Sequence, residues 1–470
     1  MFRTVPIRAK FTLEELSFWE AQCRASNSLY NSALYEFKQA HYKKLELEQA
    51  RSAYWVSDDY RSNWKLRQVT ATNYYEVDKL LKPSEHYKLM AAQSAQQTLK
   101  EIQESITSFN KLVNLFFKGE VDKPKLPRYR KSGGLNAVTF PLQALTYKNG
   151  YVYPSVSRLS KPDLLCEIKL EIPEFVDINL VREVRVRPSR GEFWVDWICD
   201  DGKEEITNNP KLDYSHALSI DHGVKFWLSV VTTKKRSFIV EAPQLKTAIW
   251  KYQQKVKQYK EGKSNFYWDE YLDKLTAKYN LQIRDSVNKA ARFVVNHCLK
   301  NGIGNLVIGW NQGNKQNINL GRKNNYEIVN MPTARLIKRL KELSKEYGIK
   351  FIVTTEEYTS KASFVDNDEL HQYGAKPKEW KPSGKRISRD EYRTKNGDII
   401  HADLNAAGNI LRKVADKIFS NNLRAKIRLE VIKRGALIHP KRYDIFQNLK
   451  KRYRKQTLRS ATLVHGVTSA

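Results

Sequence analysis

Cysteine is scarce in this chain: four in 470 residues, at Cys23, Cys166, Cys199 and Cys298. They are widely spaced and never form Cys-x-x-Cys. That excludes a disulfide framework, and a zinc finger built from cysteines alone. Long apolar runs are also missing, and none approaches the roughly 18 residues of a membrane span. The opening stretch MFRTVPIRAKFTLEEL alternates and then turns acidic, which is not the pattern of a secretory leader. Acidic residues are the largest shortfall. Asp and Glu number 51 against 82 Lys and Arg, a formal charge of +31. Self-repulsion at that charge resists compaction, so a polyanionic partner is the economical explanation. What the chain does have is aromatic and apolar mass: 25 Tyr, 18 Phe and 10 Trp in a 41% hydrophobic composition. That excludes a disordered basic tail protein of the histone type. At roughly 150 residues per domain the length suggests about three domains. The expectation is a soluble, cytoplasmic nucleic-acid-binding protein with no membrane partner.

Residues 2–11 read as a strand, and from Thr12 apolar residues recur at helical steps through Leu13, Leu16, Trp19 and Cys23 to Phe37. A second helical run covers about 85–118. Pro, Gly and cations then break the pattern over 121–134. Short alternating stretches over 137–200 predict a small antiparallel barrel or sandwich, which the first strand could join. The helical block is then an insertion after strand one. From about Leu212 the order is three strands (217–221, 226–232, 237–242), a long helix stopped at Asn301-Gly302, and a strand at 305–310. A helix over 333–347, a strand over 349–356, a polar stretch of about 40 residues and a last helix from about Asp403 follow. This βββ-α-β-α-β-(insert)-α order is that of a ribonuclease H-like sheet. From Glu430 to Ala470 ten basic residues face two acidic ones. That end is a solvated tail or a phosphate-binding arm.

Metal-assisted phosphodiester hydrolysis needs hard oxygen ligands that hold two Mg²⁺ ions within about 4 Å of each other. In such a sheet the natural places are the first strand, the neighbouring central strands and the start of the last helix. Asp221 ends the first strand in Ser-Ile-Asp-His-Gly, Glu356 and Glu357 end the strand after the second helix, and Asp403 opens the final helix. Each has a plainer explanation: a turn for Asp221, a helix cap for Asp403, solvation for the glutamates. Their coincidence with the topology favours the joint reading. Gly262-Lys263-Ser264 lacks the upstream glycine of a phosphate loop, since Lys257 stands there. His216, His222 and His371 lack zinc-ligand spacing, and His401 reads as a surface histidine. Cations and aromatics interleave at Lys125, Arg128, Tyr129, Arg130 and Lys131, and again through Trp380, Lys385, Arg386 and Arg389. Such groups neutralise phosphates and stack on splayed bases.

These residues sit in stretches that resemble the TnpB proteins, the transposon-encoded RNA-guided nucleases related to type V CRISPR effectors. The stretches are Ser26–Tyr35, Pro124–Arg130, Ser219–Gly223, Ile308–Asn311 with Lys315 and Gln316, Glu356–Ser363 including Lys361, and Ala402–Ile410. They keep family order over nearly the whole chain. The resemblance implies a multidomain α+β protein. A wedge β-barrel would span 1–12 and 126–211, with a helical recognition domain at 13–125. A RuvC nuclease domain would span 212–359 and 401–430, with a target-nucleic-acid-binding insertion at 360–400 and a basic tail at 431–470. It also implies a guide RNA from the transposon end, double-stranded target DNA beside a short motif, and a bacterial, nucleoid-associated setting. Lys315 and Lys361 join the nucleic-acid-binding set.

Two departures stand out. Most relatives carry four zinc-binding cysteines in the insertion and this chain has none there, so no zinc is expected. Many relatives place the catalytic glutamate just after the strand at 305–310, where Gly309-Trp310 stands. Relatives with glycine there carry the acid in the Glu-x-Tyr-Thr-Ser segment, which points to Glu356, with Glu357 as the alternative. The expectation is therefore a two-Mg²⁺ endonuclease with Asp221, Glu356 and Asp403 as ligands. A nuclease-dead RNA-guided binder is the competing reading. A DNA-joining transposase is unsupported, because no tyrosine nucleophile accompanied by a histidine pair is apparent.

Overall fold

A computed structural model describes residues 2–51, 68–202, 205–234, 236–311, 328–372, 374–418, 430–432 and 435–446. The chain is a mixed α/β protein that divides into two units, 1–203 and 204–470.

In the first unit, β1 (Phe2–Arg8) pairs antiparallel with β7 (Glu192–Asp200). The ladder continues through β6 (Val181–Ser189) to β2 (Val138–Pro141). The β6–β7 hairpin turns on Arg190 and Gly191, both at positive φ (56° and 72°). That is the twist-matched geometry of a two-residue hairpin, which glycine adopts at no steric cost. The order β1-β7-β6-β2 is open, and β3 (Leu145–Lys148), β4 (Tyr151–Pro154) and β5 (Leu170–Glu171) form a separate three-stranded sheet. The expected barrel is thus two open sheets among the described residues. The helices are α1 (Leu13–Arg51), α2 (Tyr74–Leu81), α3 (Glu85–Leu89) and α4 (Ala92–Phe117). The helical run expected from 85 to 118 breaks at Met90, whose backbone is extended (φ −97°, ψ 155°). Leu99, Ile102, Ile106, Phe109 and Val113 line one face of α4 and join Trp19, Phe37, Phe140 and Trp197 in one core.

The second unit is built on a six-stranded sheet. Its strands are β8 (Asp213–His222), β9 (Leu228–Thr232), β10 (Phe238–Glu241), β11 (Ile303–Gly309), β12 (Lys350–Thr354) and β16 (Lys441–Asp444). Their order is β12-β11-β8-β9-β10-β16, and β9 alone runs antiparallel to its neighbours. This agrees with the ribonuclease H-like order read from the sequence. β8 and β11 are buried nearly throughout their apolar spans, as a parallel sheet covered on both faces requires.

One face is covered by α5 (Pro243–Tyr259), α6 (Glu270–Asn301) and α7 (Thr333–Tyr347). α5 is a helix the sequence reading passed over. Its apolar signal is only Leu245 and Ile249 at one end, and the rest of its surface is polar. The other face is covered by α8 (Ala402–Lys413) and α9 (Ala415–Ile418), separated by a break at Val414. The insertion forms β13 (Lys385–Arg386), β14 (Glu391–Arg393) and β15 (Ile399–His401), an antiparallel sheet. Its Phe364, Tyr392 and Ile400 pack into the same core as Ala217, Val307 and Ile410, so it is fused to the six-stranded sheet. The stretch expected to be a basic tail is corrected in part: Lys441–Asp444 completes the sheet edge as β16. The KKRYRK run at 450–455 lies outside the described residues.

Candidate active site

β8, β10, β11 and β12 are mutually parallel in direction, so all four end at the same edge of the sheet. Asp221 is the penultimate residue of β8, Glu356 follows β12 by two residues, and Asp403 lies in the first turn of α8. The Asp221 carboxyl is pushed well above the ordinary aspartate range, first by burial and then by the charges of Glu356 and Asp403; Arg386 opposes the shift. The three acids therefore share one electrostatic site. Glu356 is also raised, by burial, against the attraction of His222 and Lys413. Its Oε1 is buried without a hydrogen-bond partner, 3.6 Å from the equally unpartnered Nε2 of His222.

Glu356 and Glu357 face different surroundings, but not through strand pleating. β12 stops at Thr354, and the chain then turns. Thr359 closes the turn by donating its N–H and its hydroxyl to the Glu356 carbonyl (3.2 and 2.8 Å), with Tyr358 held at φ 59°. The Asn311 side chain accepts from the Glu356 N–H at 2.9 Å. Glu357 instead pairs with Lys413 at 3.2 Å. Burial alone would raise its carboxyl, but hydrogen bonds from Thr355 and Lys413 hold it below the ordinary value.

Gly309 explains the space Glu356 occupies. A Cβ there would stand 2.6 Å from Ile410 Cδ1 and 2.7 Å from Glu356 Cγ. The side chain that position 309 lacks is thus replaced in space by one arriving from the adjacent strand.

The last helix fixes the turn from the other side. Asn405 accepts from the Phe364 N–H (2.8 Å) and donates to the Ala362 carbonyl (2.8 Å). Asn409 donates to the carbonyls of Thr359 (2.9 Å) and Ala362 (2.7 Å). Two buried amides one helical turn apart thereby clamp the segment that follows Glu356. Gly408 lets the Phe364 ring lie against the helix, since a Cβ would meet it at 2.8 Å. The motif 403–409 is legible in these contacts: one acid for the site, two asparagines and a glycine for the turn beside it.

Hard carboxylate oxygens with uncompensated negative charge suit a divalent cation, and the unpartnered Glu356 Oε1 fits such a ligand set. The arrangement is not a finished one. Among the described residues no three His, Cys, Asp or Glu side chains stand at metal-holding separations. Asp403 Oδ1 instead accepts from Arg386 Nη2 at 2.8 Å.

The expected nucleic-acid residues fall into two sets. In the first unit, Lys125, Arg128 and Lys131 are exposed, and Tyr129 is exposed with Lys38 Nζ 4.2 Å over its ring. Arg130 differs. Its guanidinium pairs with Glu101, donates to Asn136 and lies 4.1 Å over the Tyr30 ring. In the second unit Lys361, Lys385, Arg386 and Arg389 are exposed on the insertion, with Arg386 committed to Asp403 and to the Arg389 carbonyl. Lys315 lies outside the described residues. Asn311, Asn405, Asn409 and Lys413 carry no individual role in the sequence reading, and His222 enters it only as a histidine without zinc-ligand spacing. The pair of asparagines four apart on a helix was the available signal.

The sheet order is the ribonuclease H-like one read from the sequence, with acids at one edge, and the comparisons bear on its lineage. Residues 200–315 match the OrfB_IS605 family, described as "Probable transposase". Over that segment, about a quarter of its length, the chain is similar to this transposon-encoded family. No curated protein gives a significant match. Among solved structures, a Cas12f1–sgRNA–target DNA complex is 13% identical over 85% of this chain and 82% of that one, with a TM-score of 0.45. The mini-RNA-guided endonuclease CRISPR-Cas_phi3 is 10% identical over 88% and 92%, with a TM-score of 0.41. At these scores the likeness carries no argument about activity.

Proposed function

We propose that the protein is an RNA-guided DNA endonuclease that cuts next to a short adjacent motif. The observation that supports the reading is that Asp221, Glu356 and Asp403 come from elements ending or starting at one sheet edge, with Glu356 Oε1 buried and without a hydrogen bond. The similarity of 200–315 to a transposon-encoded family and a charge of +31 support a nucleic-acid partner. The three carboxylates would hold Mg²⁺. When bound, such ions polarise the phosphate and generate the attacking hydroxide from water. The chain's own residues do the positioning. Asn311, Asn405 and Asn409 hold the backbone of the turn that carries Glu356, and Arg386 balances Asp403 with a cation that can also meet a phosphate oxygen.

The test is purification with co-expressed RNA from the element's end, then cleavage of a library with a randomised flanking motif, with Mg²⁺ or EDTA. Guide-matched cuts beside one motif, abolished by EDTA, are expected. Guide-dependent DNA binding without any cut would replace the reading with the nuclease-dead binder. Protein that emerges from cells stable and free of RNA at low salt would reject both.

A further inference from the structure

The α5–α6 pair plays no part in the site above, yet it concentrates charge and exposed rings. α5 carries Lys246, Lys251, Lys255 and Lys257 and no acidic residue. Thr247, Lys251 and Lys255 recur every four residues and so share a face. That face and the start of α6 enclose a groove of about 560 Å³, to which Lys251, Lys255 and Lys278 contribute and no carboxylate does. Tyr252 and Tyr279 stack across the two helices at 4.1 Å and 9°. The loop joining the helices is aromatic and open. Phe266 is 95% exposed and Trp268 43%. Lys260 lies 5.3 Å over Trp268, and Lys263 lies 3.6 Å over Tyr259 and 4.5 Å over Tyr267.

Topology places this hairpin at the acidic edge. α5 begins directly after β10, which ends at that edge. α6 ends at Asn301, where β11 starts, and runs back along the sheet. At 1.5 Å per residue its 32 residues span about 48 Å. The 7 residues of β11 span only about 23 Å. The excess is at the N-terminal half of α6, so this half, the part of α5 beyond Ile249 and the loop between them extend past the edge that bears Asp221. The core agrees: the sheet-facing residues of α6 run from Ile283 to Cys298.

We propose that the α5–α6 hairpin binds single-stranded DNA and guides that strand to the carboxylates. The lysines of the groove hold phosphates, and the exposed rings at its tip stack on bases. Unpaired strands are favoured because a duplex hides the base faces that Phe266 and Trp268 would stack on. DNA is the strand because the surface leads to the edge where the cleaved strand must lie, a step that rests on the nuclease reading.

The experiment titrates a fluorescent oligo-dT of about 20 nucleotides, unrelated to the guide, against the purified full-length complex over a range of salt. Lys251→Gln/Lys255→Gln/Lys278→Gln should flatten the log–log salt dependence by about 2, at roughly 0.7 per phosphate contact on single strands. Phe266→Ala/Trp268→Ala should weaken binding about tenfold, as for loss of one stacked base. The matching triple Lys→Arg variant should bind like wild type, and the RNA content of every variant should be unchanged. Wild-type affinity and slope in the folded Gln variant would overturn the proposal. Loss of RNA with oligonucleotide binding retained would reassign the surface to RNA and overturn it too. If wild type binds oligo-dT and the variants lose it, yet no guided cut is seen, the nuclease reading fails and the binding surface stands.

Discussion

Gly309→Ala puts the assignment of the third acid under direct strain. The added methyl would stand 2.6 Å from Ile410 Cδ1 and 2.7 Å from Glu356 Cγ, against the 3.4 Å at which ordinary contact begins. Something must therefore move by about 0.7–0.8 Å, the difference between those figures. Ile410 is fully buried in the core beneath α8 and cannot yield without repacking. Glu356 can swing, because its Oε1 has no hydrogen bond to hold it. Overpacking of a tight site costs about 1–3 kcal/mol, and a misplacement of about 1 Å at a reacting centre costs on the order of 100-fold in rate. The variant should melt several degrees lower, keep its RNA, and cleave about 100-fold more slowly at a temperature where it is fully folded. Wild-type cleavage with wild-type melting would refute the reasoning, since it would mean that Glu356 is not where the chemistry needs it or that the site is loosely packed.

Two further outcomes follow from the contacts. Asp368 accepts from the Ser363 N–H (2.7 Å) and the Ser383 N–H (3.0 Å), with a further bond from the Ser383 hydroxyl, and so ties the start of the insertion to its middle. Asp368→Ala leaves both backbone N–H groups without their acceptor and should cost about 1–3 kcal/mol, read as lower melting and faster proteolysis within 360–400. Arg130→Ala should lower the stability of the first unit by removing the tie to Glu101, Asn136 and Tyr30, whereas Arg128→Ala should leave melting unchanged and weaken polyanion binding. Equal melting for the two would show that Arg130 does no more than its exposed neighbour.

The six-stranded sheet was legible chiefly through its covered central strands. Buried parallel strands must be continuous apolar runs, and ALSID and NLVIGW announce themselves as such, while the edge strand in IKFIVTTE shows through its branched and aromatic residues. The acids were legible because strand ends and a helix start are the only places such a sheet can present them together. α5 was not, because a helix that touches the core at Leu245 and Ile249 alone has almost no period to read. β16 hid in a basic segment: an edge strand makes its ladder through the backbone, so Lys441 and Arg442 can stay in solvent. The open sheets in place of a barrel reflect registry between strands, which alternation does not encode. The insertion needs no dedicated core of its own, since Phe364, Tyr392 and Ile400 borrow the one beneath α8. Counting cysteines could not reveal that.

The central claim is that Asp221, Glu356 and Asp403 form the cutting site, with Glu357 outside it. A matched assay of Glu356→Gln, Glu357→Gln and Asp221→Asn complexes on one guide-complementary target tests it most directly. Each complex is first shown to retain RNA and to bind the target. Glu356→Gln and Asp221→Asn should bind and not cut, and Glu357→Gln should cut with a modest loss traced to the freed Lys413. Full cleavage by Glu356→Gln, or loss confined to Glu357→Gln, would contradict the account.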